Sequence, residues 1–175
     1  MKAHSILSAL AAAGIGVACT PELNWRDVRP DASGLAVLMP CKPAGHARRL
    51  ALAGVAVEMS LFACSAGGAT YAIGFADIGQ PQRVGQAVAE LAAAAARNVG
   101  SQVTPVVNAL RISGMTPLPQ AVLQALSGRL PDGQRVEEQV AVFARGTRVY
   151  QATVVGPRLD AEATASFFDS LRLLP

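Results

Sequence analysis

The stretch from Arg135 to Val155, RVEEQVAVFARGTRVYQATVV, decides the fold. In its first half Val136, Val140 and Val142 share one parity. In its second half Tyr150, Ala152 and Val154 do the same, and Arg145-Gly146 stands between them. A period of two is the signature of a strand whose side chains alternate between faces. Two such runs joined by a short glycine-containing turn read as an antiparallel hairpin. In front of it, Leu130-Pro131-Asp132-Gly133 is a proline-led turn, with proline setting φ and aspartate able to bond the backbone two residues on.

Working outward, the same alternation occurs earlier. Val57, Met59 and Leu61 share one parity against Glu58 and Ser60, and Tyr71, Ile73 and Phe75 continue it after the turn Ser65-Ala66-Gly67-Gly68. This predicts a second hairpin from Val55 to Phe75. Leu35–Met39 is a continuous apolar run stopped by Pro40, as expected of a strand covered on both faces. Cys41–Ala47, with Pro43 and Gly45, reads as a loop. The period changes to 3.6 over Pro81–Val99, where Val84, Val88, Leu91 and Ala95 form one stripe. Pro81 suits the first turn and Gly100 the end. A closing helix over 160–172 follows from Asp160 as cap, Glu162 in the first turn, and a stripe of Ala161, Ala165, Phe168 and Leu171. Val106–Ile112 reads as a strand. Gln120–Leu126 fits a helical turn or a strand equally. The expected class is α+β, an antiparallel sheet covered by two amphipathic helices at 81–99 and 160–172, in one domain over 34–175.

The amino terminus reads as an address. Lys2 precedes an uncharged, Ala- and Leu-rich stretch from Ser5 to Ala18, the plan of a secretory signal. That stretch is shorter than the roughly 20 residues of a spanning helix. Gly16-Val17-Ala18-Cys19 resembles the lipobox of bacterial lipoproteins, with Gly16 where that motif usually carries an aliphatic residue. The resemblance implies removal of residues 1–18 and lipidation of Cys19, with residues 19–33 as a lipidated tether. It places the protein at the periplasmic face of the envelope, and Thr20 after the cysteine resembles outer-membrane sorting. The tether would bind the chain to a membrane without spanning it. Cleavage at Ala18–Cys19 without lipidation also fits the small-x-small pattern.

The composition is 51% apolar and 15% charged, which fits one globular domain and excludes a disordered chain. The net charge of +3 is carried by scattered arginines, not by the basic stripe of a nucleic-acid binder. With Cys19 assigned to lipid, Cys41 and Cys64 remain, and an even pair in an exported chain reads as a disulfide. Closing a loop of about 24 residues stabilises the fold by about 3 kcal/mol in the loop-entropy picture. The alternative is a reactive thiol, with His46 near Cys41 as its base.

The order of these elements, the strand ending at Pro40, the hairpin over Val55–Phe75, Tyr150 in a late strand and Phe167-Phe168-Asp169-Ser170-Leu171 near the end resemble the PsbP-like αβα sandwich. The DcrB-like lipoproteins are exported members of it. The resemblance covers about residues 30–174 and implies an accessory or binding module without catalysis, and no active-site residues carry over.

The residues themselves offer little chemistry. Nucleophile motifs and phosphate loops are missing, no cofactor is implied, and His46 is the one histidine after residue 18, too few for a clustered metal site. Neighbours Glu137 and Glu138 point to opposite sides of a strand and cannot act as a pair. Arg145 and Arg148 flank a turn and could contact an anion or lipid headgroup, as could Arg48 and Arg49 beside His46. Two classes stay open: a tethered interaction module docking to an unknown envelope protein, and a binding protein for a small or lipidic ligand between sheet and helix.

Overall fold

The computed structural model describes residues 23–101 and 106–175. In chain order these form β1 (Arg26–Val28), β2 (Leu35–Met39), β3 (Ala44–Leu52), β4 (Val55–Ala66), β5 (Ala69–Asp77), a 3-10 turn (Pro81–Arg83), α1 (Val84–Asn98), β6 (Val106–Ala109), β7 (Val122–Arg129), β8 (Arg135–Arg145), β9 (Arg148–Gly156), α2 (Ala161–Asp169) and β10 (Arg172–Leu173). Seven strands make one antiparallel sheet in the order β3-β4-β5-β9-β8-β7-β6, and β1-β2-β10 make a second. The class is α+β.

The hairpin at 135–155 is the centre of the large sheet. Ala141 lies opposite Ala152 and Phe143 opposite Tyr150, whose rings stack 4.9 Å apart. Strand alternation sends these side chains to one face and Val140, Val142 and Val149 to the other, so each face has its own core. On the first face Tyr71, Ile73, Phe75, Phe143, Tyr150 and Val154 pack with α2 and β2. On the second, Val57, Met59, Val140, Val142 and Val149 pack with α1. β4 and β5 join through Gly67 and Gly68, both at positive φ (58° and 74°), which a two-residue turn of this hand requires.

α1 buries Val84, Ala87, Val88, Leu91, Ala92 and Ala95, the expected stripe widened by two alanines. Its end is closed by Gly100 N–H bonding the Arg97 carbonyl (3.0 Å) and Ser101 N–H bonding the Ala96 carbonyl (3.0 Å). These are the two bonds of a Schellman cap.

The covering layers differ from expectation in four places. The segment expected as a loop to Ala47 becomes β3 from Ala44 onward, an edge strand whose residues 44–49 are all exposed. β1, inside the stretch expected as tether, pairs with β2. β2 is therefore the middle of a second sheet, which explains its apolar character on both faces. The closing helix is shorter than 160–172. It ends at Asp169, where Ser170 Oγ donates to the Phe167 carbonyl (2.7 Å) and accepts from Leu38 N–H (2.8 Å), and the chain then pairs as β10. Its buried face is also rotated from the expected one, with Ala163, Thr164 and Phe167 inward and Ala161 and Ala165 exposed. Phe167 is fully buried, worth about 1.5–3 kcal/mol in transfer alone. The ambiguous Gln120–Leu126 falls mostly in β7, a strand.

Candidate functional site

Cys41 and Cys64 are joined, with their Cα atoms 5.9 Å apart. The bond ties the turn before β3 to the end of β4. Neither cysteine is then a free nucleophile, and the Cys41–His46 alternative falls away. His46 lies on exposed β3. Cys19 lies outside the described residues, as does the signal-like segment before it.

The four arginines expected to contact an anion are not brought together. Arg48 and Arg49 are consecutive on β3, so their side chains leave on opposite faces. β3 is a sheet edge, and charged side chains on an edge keep other strands from pairing with it. That structural role accounts for both. Arg145 and Arg148 lie directly opposite each other at the tip of β8 and β9. They line a depression of about 540 Å³ with Asp77, Tyr150, Leu174 and others.

The bonds within that depression hold the β1–β2 loop and the segment after β10 to the sheet. Arg148 Nη1 (3.2 Å) and Tyr150 OH (2.8 Å) both donate to the Ser33 carbonyl, and Arg145 Nη1 donates to the Leu174 carbonyl. Asp77, opposite Arg148, accepts from Gly79 N–H at 2.8 Å. The Thr147 side chain, then that N–H, then the Arg148 charge hold its carboxyl below the usual range.

Two grooves have an apolar character. One, about 640 Å³, runs along residues 109–121 and includes Leu110, Ile112, Met115 and Leu118, with Arg111 at its wall. The other, about 440 Å³, lies between α2 and the sheet, walled by Leu123, Leu159, Phe168 and Thr164. Thr164 is 4% exposed, and its Oγ1 has no hydrogen-bond partner.

Two features escaped the sequence reading. Glu137 is exposed and accepts from Leu159 N–H (3.0 Å), whereas Glu138 is only 6% exposed. Glu138 shares the parity of Val136 and Val140 and lies opposite Leu126 and Val155, so it points into the apolar layer beneath α1. Burial pushes its carboxyl up to about 7. The signal was its parity with the flanking valines. The second feature is a set of three arginines at one end of the sheet, Arg129, Arg135 and Arg158, which line one pocket of about 600 Å³. The first two flank the turn at 130–134, a juxtaposition that antiparallel pairing across this turn implies.

Among the described residues, no group of three or more His, Cys, Asp or Glu is placed to hold a metal, and no helix is long and apolar enough to cross a membrane. Compared with known protein families the chain matches none, and no curated protein matches it.

Proposed function

We propose that the protein is a non-enzymatic, exported lipoprotein that serves as an interaction or accessory module of the cell envelope. The carrying observation is the bonding of Cys41 to Cys64. It is the pairing expected of an oxidising compartment, and it uses two of the chain's three cysteines; the third, Cys19, lies outside the described residues, at the position where the lipobox-like sequence would place the acyl chains. The domain layering, α1 on one face of the sheet and α2 with β2 on the other, supports the resemblance to the PsbP-like sandwich. Outer-membrane sorting rests on Thr20, and the partner would be an envelope protein.

The test is fractionation of cells making the chain or its Cys19→Ser variant. The reading expects the wild-type chain in the membrane fraction and the folded variant in the soluble periplasmic fraction. An unchanged distribution contradicts it.

A second reading has its own observation. The groove between α2 and the sheet, with the buried and unpartnered Thr164 Oγ1, favours a small apolar ligand with one polar group. Native mass spectrometry of the gently purified protein would then find a stoichiometric small molecule, lost in Phe168→Ala.

A further inference from the structure

Like charges directly opposite on neighbouring strands destabilise a sheet. Arg129 on β7 and Arg135 on β8 are such a pair. Strand parity sends both to the same face as Ser127 and Glu137, where Arg158, in the loop leading to α2, closes the third side of the pocket of about 600 Å³.

Among the described residues the nearby acids form no ion pair with them, and the Glu137 carboxylate, which lines the same pocket, leaves three positive charges against one negative. Glu137 accepts from Leu159 N–H (3.0 Å), Asp160 caps α2 through Ala163 N–H (2.7 Å), and Asp132 accepts from Gln134 N–H (2.9 Å). Among the described residues the ion pairs are those of Asp27 with Arg29 and Arg172, so none of the three arginines is in one. Arg129 Nη1 donates to the Gly133 carbonyl at 2.9 Å, which positions the guanidinium and leaves its other N–H groups. Guanidinium groups present paired donors that match phosphate oxygens.

The pocket also lies where the chain enters the domain. Arg158 lines, besides this pocket, the adjoining recess that contains Leu23 and Gly67. From Cys19 to Leu23 a fully extended chain spans at most about 14 Å. An anchor at Cys19 therefore keeps this end of the domain close to the headgroups.

We infer that Arg129, Arg135 and Arg158 form a binding site for the phosphate of an anionic lipid headgroup and orient the domain on its membrane. The orientation rests on the anchoring read at Cys19; the site's affinity for phosphate does not.

The experiment uses the exported chain carrying Cys19→Ser, so that no acyl group contributes. Its binding is measured to vesicles of phosphatidylcholine alone and with one-fifth phosphatidylglycerol at low salt, and to inorganic phosphate. The inference expects binding to the anionic vesicles only, lost about a hundred-fold in Arg129→Gln/Arg135→Gln/Arg158→Gln. The pair Arg48→Gln/Arg49→Gln, which removes two positive charges where the triple variant removes three, should cost less than threefold. Both variants carry exposed substitutions, and melting temperatures no lower than that of the unsubstituted chain verify that they fold. Equal losses in the two variants overturn the site. Triad-dependent binding of inorganic phosphate without vesicle binding overturns the lipid as its source. A chain acylated at Cys19 whose triad binds nothing refutes this inference alone. Triad-dependent vesicle binding by a chain that is never acylated removes the tether and leaves the site standing.

Discussion

Glu138→Gln should make the protein more stable at pH 8 and change it little at pH 4.5. The wild-type carboxyl is 6% exposed and faces the layer beneath α1, among Val136, Val140, Leu126 and Val155. Gln124, diagonally across on the same face, carries a buried Oε1 without a hydrogen-bond partner. This setting accommodates a proton-bearing group better than a charge. Burial lifts the folded-state value from 4.5 to about 7. The folded protein therefore keeps this proton where the unfolded chain has released it. The stability it contributes is fully present below about 4.5, declines as pH rises, and is lost above about 7. The difference amounts to about 3 kcal/mol. Glutamine has a similar shape and cannot ionise, so it escapes the decline. Urea denaturation of both proteins at pH 4.5, 6 and 8, with the disulfide intact, gives the comparison. The stability difference should widen by about 3 kcal/mol from the lowest to the highest pH and level off above 7. A difference independent of pH, or a variant less stable than wild type at pH 8, would refute the reasoning, because it would mean that the carboxylate is charged and compensated.

Other perturbations separate the remaining parts of the account. The double variant Cys41→Ser/Cys64→Ser should lose about 3 kcal/mol in denaturant titration, the loop-entropy cost for residues 23 apart, and a loss near zero would remove the disulfide's structural role. Gly128→Ala drives a methyl into the Val99 carbonyl oxygen, a backbone atom fixed by the α1 cap, and should cost about 3 kcal/mol or more by thermal melting. Gly133→Ala, with nothing within 4 Å, should cost only the strain of its positive φ, about 1–2 kcal/mol. Phe167→Ala should cost about 3–5 kcal/mol and half-buried Phe168→Ala clearly less. The reverse order would restore the helical face read from sequence.

Where the chain makes its own contrast between faces, the fold was legible. The hairpin at 135–155 shows it because both strands sit in the middle of the sheet, where alternate side chains enter two separate cores. α1 shows it because only one of its faces meets the sheet. β3 offers no such contrast: it is an edge, exposed on both faces from Ala44 to Arg49, and its alternation carries no apolar signal. The end of α2 was hidden for another reason. Leu171 continues an apolar period, but the helix is stopped by Ser170, whose hydroxyl bonds a β2 amide that is distant in sequence. Of the candidate site, the disulfide was readable from cysteine parity, while the arginine cluster required knowing that the loop before α2 lies beside the start of β8. Glu138 was readable and was masked by its neighbour Glu137, since adjacent carboxylates look alike until a strand's faces are assigned.

The most direct test of the central claim is an intact mass of the protein purified from its own membranes, with thiol alkylation before and after reduction. The account predicts a chain beginning at Cys19 and carrying acyl groups there, with Cys41 and Cys64 alkylated only after reduction. An unacylated chain with Cys41 or Cys64 freely alkylated would contradict both the tether and the oxidised compartment.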